Sequence, residues 1–319
     1  MTSHGPGVYL DAHLHYWDPR RLSYPWLSAV PSLNRPFLPG DLCRQLDGLK
    51  WGPPAGVVGV EADREPGQAA QEVHFLRSLD GEPAPVLGVV AHVPLERGND
   101  CARLLDQVTA VPFVVGIRRL LQDEAAGFTS DPRFRRGMEL LGVTGRVFDL
   151  CIRQHQLAEV TDLVARNPQI AFVLDHLGKP EVSAASRRSW ATDLARLAAL
   201  PNVRCKLSGL ATEADRDHRK ASDLLPFLTE AIDAFGPSRC MFGSDWPVLT
   251  QAMSYGHWVA LVARAVDDLP DHERDAVFRR TAISTYGVTP ALRNSRPGRP
   301  GRADLGGGAT ATTDRRRGT

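Results

Sequence analysis

No apolar run in this chain approaches the roughly 20 residues needed to cross a bilayer, which excludes a helical membrane span. Neither sign of charge dominates. Lys and Arg number 38 against 37 Asp and Glu, for a net charge of +1, which argues against a nucleic-acid or anionic-membrane partner. Cysteine is sparse: Cys43, Cys101, Cys151, Cys205 and Cys240 are odd in number and widely spaced. Three of them lie inside apolar runs, so free buried thiols are expected rather than a disulfide framework. A reducing, cytoplasmic setting fits that expectation. Residues 1–7 lack a basic segment followed by an apolar core, which argues against a secretion signal and leaves a short amino-terminal extension. No Gly-x-Gly-x-x-Gly follows the first apolar run, against a dinucleotide fold. No Gly-x-Ser-x-Gly elbow follows a strand, although Phe242-Gly243-Ser244-Asp245 comes near one, and no cysteine stands beside a histidine in a polar setting.

What the chain does contain is alternation. Eight short apolar runs begin near Val8, Gly56, Val86, Phe113, Val147, Ile170, Val203 and Arg239. Between them, residues such as 69–79, 134–141, 157–165, 190–200 and 224–235 carry apolar side chains at three-to-four spacing, the signature of amphipathic helices. Asp131-Pro132 and Gly236-Pro237 mark helix starts and stops. Apolar strands alternating with helices read as a parallel sheet covered on its outer face. Eight such units predict a single-domain (β/α)₈ barrel over residues 8–290. Residues 18–39 form a Pro- and aromatic-rich loop, placed to wall a binding site. Residues 291–319, rich in Gly, Arg, Pro and Thr, are expected to be a disordered tail.

In such a barrel the chemistry sits at the carboxyl ends of the strands. There the runs end in His13 and His15; Glu61 and Asp63; His92; Arg118 and Arg119; Arg153 with His155; Asp175-His176; Lys206 and Ser208; and Ser244-Asp245-Trp246. A His-x-His pair in an extended chain points both rings the same way. By itself the pair is a weak signal. Together, His13, His15, His176 and Asp245 support two mechanisms. Either they hold a Zn²⁺ that acidifies a water, or Asp245 acts as general base while the imidazoles and Arg118 polarise a carbonyl. Both lead to hydrolytic attack on a carbonyl carbon. Trp26 and Trp246 are candidate apolar walls for a small ring, and Glu61, His92, Arg153 and Lys206 are candidate substrate contacts.

Asp11-Ala12-His13-Leu14-His15-Tyr16-Trp17-Asp18, Leu174-Asp175-His176-Leu177-Gly178-Lys179-Pro180, Cys205-Lys206-Leu207-Ser208-Gly209 and Met241-Phe242-Gly243-Ser244-Asp245-Trp246-Pro247 resemble motifs of the amidohydrolase superfamily. Within it they are similar to the sugar-lactonase branch that acts on L-fucono- and L-rhamnonolactones, and residues 116–124 and 148–150 share that likeness. The resemblance implies hydrolysis of a sugar-acid lactone, with Asp245 activating water, His13, His15 and His176 lining the carbonyl site, and Arg118 at the substrate or oxyanion. Metal-dependent members usually add a histidine or carboxylated lysine at the fourth or fifth strand. Here those strands end in Arg118 and Arg153, so a two-metal site is not expected and a site that needs no metal is, with one Zn²⁺ on His13, His15, His176 and Asp245 as the alternative. His155 stands where the family segment carries a proline. The partner expected is a small lactone. Competing readings are a metal-dependent decarboxylase of an aromatic or unsaturated acid and a non-catalytic sugar-acid binder. The oligomeric state stays open, a homodimer included.

Overall fold

Strand residues alternate between two environments, and that alternation builds the barrel. The computed structural model describes residues 7–79, 81 and 84–290, so the expected tail and all of the amino-terminal extension but Gly7 lie outside the described residues. Among the described residues the strands are β1 (Asp11–Leu14), β2 (Val57–Val60), β3 (Val86–His92), β4 (Val114–Arg118), β5 (Val147–Leu150), β6 (Phe172–Leu174), β7 (Val203–Leu207) and β8 (Cys240–Phe242). They pair in parallel in chain order, the expected (β/α)₈ arrangement. One set of side chains, among them Val57, Val89, Val114, Phe148 and Phe172, packs outward against the helices. The alternate set, including Val58, Val60, Val90, Val115, Val147, Val173 and Met241, fills the barrel interior.

Two residues further along, the inward face changes character. Val90 is followed by His92, Val147 by Asp149, and Val173 by Asp175. The interior is therefore apolar toward the strand starts and ionisable toward the strand ends. The terminal helix Thr281–Tyr286 packs Ala282 and Tyr286 onto the apolar layer, and the Tyr286 hydroxyl reaches both Asp149 oxygens at 2.9 and 3.0 Å.

The expected helices form at Ala69–Arg77, Pro132–Gly142, Leu157–Arg166, Ala184–Ala198 and Ala221–Phe235. Asp131 caps its helix by accepting from the amides of Arg133 at 2.7 Å and Phe134 at 3.3 Å. The observed strands are shorter than several of the apolar runs. Residues 151–152 and Ile170 extend a run beyond the strand, because apolar character also serves the loops that pack on the ladder. Residues 18–38 hold two short 3₁₀ turns, Pro25–Ala29 and Pro31–Leu33, and a bridge from Phe37 to Trp17, and a helix, Pro39–Leu46, begins at Pro39. All five cysteines are free, four of them buried. No helix of the described residues is long and apolar enough to cross a membrane.

The barrel closes between β8 and β1 through backbone bonds from the Asp245 amide to the His13 carbonyl and from the His15 amide to the Trp246 carbonyl, both 2.8 Å. Below this seam the fully buried Asp11 carboxylate accepts from the amides of His13 (3.1 Å) and Ser244 (2.9 Å) and from the Tyr255 hydroxyl (3.1 Å). Asp11→Ala would strand three buried donors, each costing about 1–3 kcal/mol. We expect a loss of about 3 kcal/mol in urea unfolding. A loss under about 1 kcal/mol would show that Asp11 does not hold the seam.

Candidate active site

The seam gathers three of the expected residues. His15 Nδ1 lies 2.9 Å from the Val60 carbonyl, an acceptor only, so this nitrogen carries the proton and Nε2 presents a lone pair in the neutral ring. That Nε2 is 3.2 Å from His13 Nε2 and 3.3 Å from Asp245 Oδ1, and His13 Nε2 is 3.7 Å from the same oxygen. Burial opposes the charge on Asp245, yet the imidazoles of His176, His15 and His13 hold its carboxyl well below the usual carboxylate range. Gly243 permits this approach, since a Cβ there would meet the His13 Cβ at 2.8 Å.

His176 packs against His13 with ring centroids 4.5 Å apart and the planes tilted by 59°, and meets the Ser208 hydroxyl through Nδ1 at 2.9 Å. Burial lowers its pKa to about 4, so it is neutral at pH 7. A Cβ on Gly209 would strike its ring at 2.4 Å, and φ at Gly209 is +63°, so both space and backbone demand glycine.

Behind this face lies a chain of buried charges. Lys206 Nζ contacts Asp149 (2.5 Å), Asp175 (3.1 Å) and His13 Nδ1 (3.1 Å). Asp175 also meets His13 Nδ1 at 3.2 Å and Arg118 Nη1 at 3.3 Å. Arg118 donates to the Glu61 carboxylate at 2.7 Å and to the Glu61 carbonyl at 2.6 Å. Three of its five N–H donors are thereby used, leaving two. Burial would raise the Glu61 pKa, but Arg118 draws it down to about 2.

A cavity of about 270 Å³ opens over the site, lined by His15, Arg118, His176 and Asp245 together with Trp17, Trp26, Asp63, Gln122, Asp123, Cys151, Lys179 and others. His13 sits directly beneath, fully buried. Among the described residues, five other than glycine have positive φ, namely Asp63, His176, Leu177, Lys179 and Asp245. Four of the five line this cavity, as expected where strained backbone is tolerated for function.

The other expected contacts lie elsewhere. Glu61 and Lys206 are fully buried supports beneath the cavity, and His92 is half-buried at the end of β3, beside Arg118 in the ladder. Trp246 does not form the wall expected of it. It is buried against Tyr16 and Phe37, because the chain at Trp246 is turned into the closing seam. Arg153 lines a neighbouring cavity with His155 and pairs with Asp123 at 3.0 Å. Asp149, Gln122 and Lys179 went unassigned in the sequence. Only Asp149 carries a clear signal, a carboxylate inside an apolar strand.

His15 Nε2, His13 Nε2 and the Asp245 carboxylate are three electron-pair donors facing one point, with a single imidazole proton at most between them. Such a set fits a divalent cation, and the expectation of a metal-free site does not fit it. A second group, His13, Asp175 and His176, shares His13, and the Lys206 ammonium already stands against its Asp175 and His13 atoms.

Imidazoles and a carboxylate converging at the strand ends of a parallel barrel define an enzyme of the barrel class. Residues 10–288 match the amidohydrolase family profile, and the chain belongs to that family. It is 37% identical over 292 residues to the L-fucono-1,5-lactonase of Burkholderia multivorans, across 88% of this chain and 96% of that one. The L-fucono-1,5-lactonase of Burkholderia ambifaria is 30% identical over 286 residues, covering 88% and 95%. A crystal structure of a B. multivorans amidohydrolase with zinc bound superposes with a TM-score of 0.77 at 34% identity, covering 89% of this chain and 100% of that one.

Removing one partner of a buried ion pair costs about 3–5 kcal/mol, whereas an exposed pair is worth about 0–1 kcal/mol. Glu61→Leu, which strips Arg118 of its main carboxylate, should therefore lower unfolding stability by about 3 kcal/mol or more. Asp123→Ala, at the exposed Arg153 pair, should lower it by less than about 1 kcal/mol. Equal losses in denaturant titrations would contradict the assignment of Arg118 to a desolvated clamp.

Proposed function

We propose that the protein hydrolyses the lactone of a sugar acid to the open hydroxy acid, with a 1,5-lactone of the L-fucono type as substrate. The observation that carries this reading is the convergence of Asp245, His15 and His176 on a cavity of about 270 Å³, supported by the two lactonase relatives. Charge balance favours a neutral ring over a carboxylated one. The cations at the cavity are already paired: Arg118 with Glu61 and Asp175, Lys179 with Glu213, and Arg153 nearby with Asp123. A decarboxylase acting on an anionic acid would want an unpaired cation there, and a mere binder would not need a buried, ionised Asp245.

The reaction follows from the groups present. Asp245, ionised at neutral pH, takes a proton from water as its oxygen adds to the lactone carbonyl carbon. Arg118, with two N–H donors outside its contacts with Glu61 and Asp175, and the neutral His176 line the cavity, where negative charge develops on the carbonyl oxygen. Collapse breaks the acyl C–O bond of the ring, and the proton held on Asp245 passes to the departing alkoxide. Trp17 and Trp26 stack edge to face at 5.4 Å and supply an apolar wall for the ring. His13, His15 and Asp245 would hold one Zn²⁺, which when bound supplies Lewis acidity at the carbonyl.

Acid release from L-fucono-1,5-lactone tests this reading. Asp245→Asn should lower the rate about a thousandfold while leaving the thermal transition in place. Chelator-treated protein should take up about one Zn²⁺ per chain in calorimetric titration, because Lys206 fills the second group. An unmutated protein that releases no acid, or a mutant that keeps its rate, would overturn the reading.

A further inference from the structure

His176, Leu177, Gly178 and Lys179 have φ of 53°, 56°, 74° and 49°, four consecutive residues in the left-handed region. Three of them carry side chains that disfavour it. The turn persists because its surroundings hold it. Trp190 donates to the Leu177 carbonyl at 2.9 Å, Leu177 is fully buried, and the Lys179 amide bonds back to the His176 carbonyl at 2.8 Å. Its two ends, His176 and Lys179, both line the active-site cavity.

The Lys179 ammonium sits 2.5 Å from Gln122 Oε1 and 3.6 Å from Glu213 Oε1. The first is a hydrogen bond that uses one of its three protons, and the second is an ion pair. Lys179 also lines a second cavity of about 200 Å³, with Arg153, His155 and Glu213. It thus stands where the two cavities meet, with two donors uncommitted and its charge balanced by Glu213. A donor so placed meets whatever projects from a ring seated over Asp245.

We propose that Lys179 is a specificity-determining residue that donates a hydrogen bond to a hydroxyl of the lactone, selecting polyhydroxylated lactones over bare ones. The inference rests on the lactonase reading above and extends it to the substituents of the ring. Gln122 acts through Lys179, as a positioning residue that aims the ammonium. A hydrogen bond to a charged group is worth enough to change affinity by about ten- to a hundredfold.

The test compares L-fucono-1,5-lactone with δ-valerolactone, a six-membered lactone without hydroxyls, in the full chain and in Lys179→Met. The substitution keeps an apolar stem of similar length and removes the donors. Acid release should lose about ten- to a hundredfold in kcat/KM on L-fucono-1,5-lactone and a much smaller factor on δ-valerolactone. Calorimetric binding of L-fuconate should weaken by about tenfold or more, and that of 5-hydroxypentanoate should change far less. Lys179→Arg, which retains donors, should recover part of the discrimination. If both lactones or both acids lose equally, or neither does, Lys179 has no part in selection. That outcome leaves the lactonase reading standing. An unmutated protein that opens neither lactone overturns both.

Discussion

The hydrogen-bonded seam between the last strand and the first is the constraint on which this structure depends. Seven neighbouring strand pairs follow from chain order, but the eighth must be closed by residues far apart in sequence. The backbone of Asp245 and Trp246 meets that of His13 and His15 there, so the bonds that close the barrel are made by the residues that carry its chemistry. Register matters because a slip of one residue sends every side chain to the opposite face. Asp11 beneath the seam and Gly243 beside it serve that register, one by tying both strands with hydrogen bonds, the other by leaving room for His13. A correctly closed barrel therefore has its site assembled.

Burying charge around that seam is costly unless each ion finds partners. Asp175 answers this by touching Lys206, His13 and Arg118 at once. Lys206 is in turn balanced by Asp149, and Arg118 by Glu61. The result is a layer of matched charges under the cavity, beside which the buried imidazoles of His13 and His176 stay neutral. His13 lies well below the ordinary histidine pKa, chiefly through burial and then the nearby Lys206 and His176, with Asp175 opposing. The cavity thus presents the ionised Asp245 carboxylate beside imidazole lone pairs and the donors of Arg118 and Lys179.

Much of this was legible in the sequence. The eight apolar runs, the helices between them and the ionisable residue at each strand end follow from two periodicities and the barrel's own geometry. His13, His15, His176, Asp245 and Arg118 sit where those rules put them. Side-chain direction beyond the strand ends was not legible. Trp246 reads as a wall in the sequence, but the path of the chain into the seam buries it, whereas Trp17, in the opening motif Asp11–Asp18, lines the cavity. Glu61 and Lys206 read as substrate contacts but are supports, because a charged side chain at a strand end can turn into the layer below as readily as into the mouth. Lys179 could not be found by periodicity at all, since its placement depends on a left-handed turn that only tertiary packing sustains. The donor set at the seam also needed coordinates: three lone pairs at one point are a matter of ångströms, and spacing in sequence does not supply them.

We propose that barrel closure brings His13, His15 and Asp245 to a single point that can hold a cation, beneath a cavity for a small ring. Anomalous diffraction at the zinc absorption edge, from crystals of the protein grown with Zn²⁺, tests this most directly. The account predicts one strong peak coordinated by His13 Nε2, His15 Nε2 and the Asp245 carboxylate, open toward the cavity. A map with no peak there, or with the ion seated between Asp175 and His176 in place of Lys206, would contradict it.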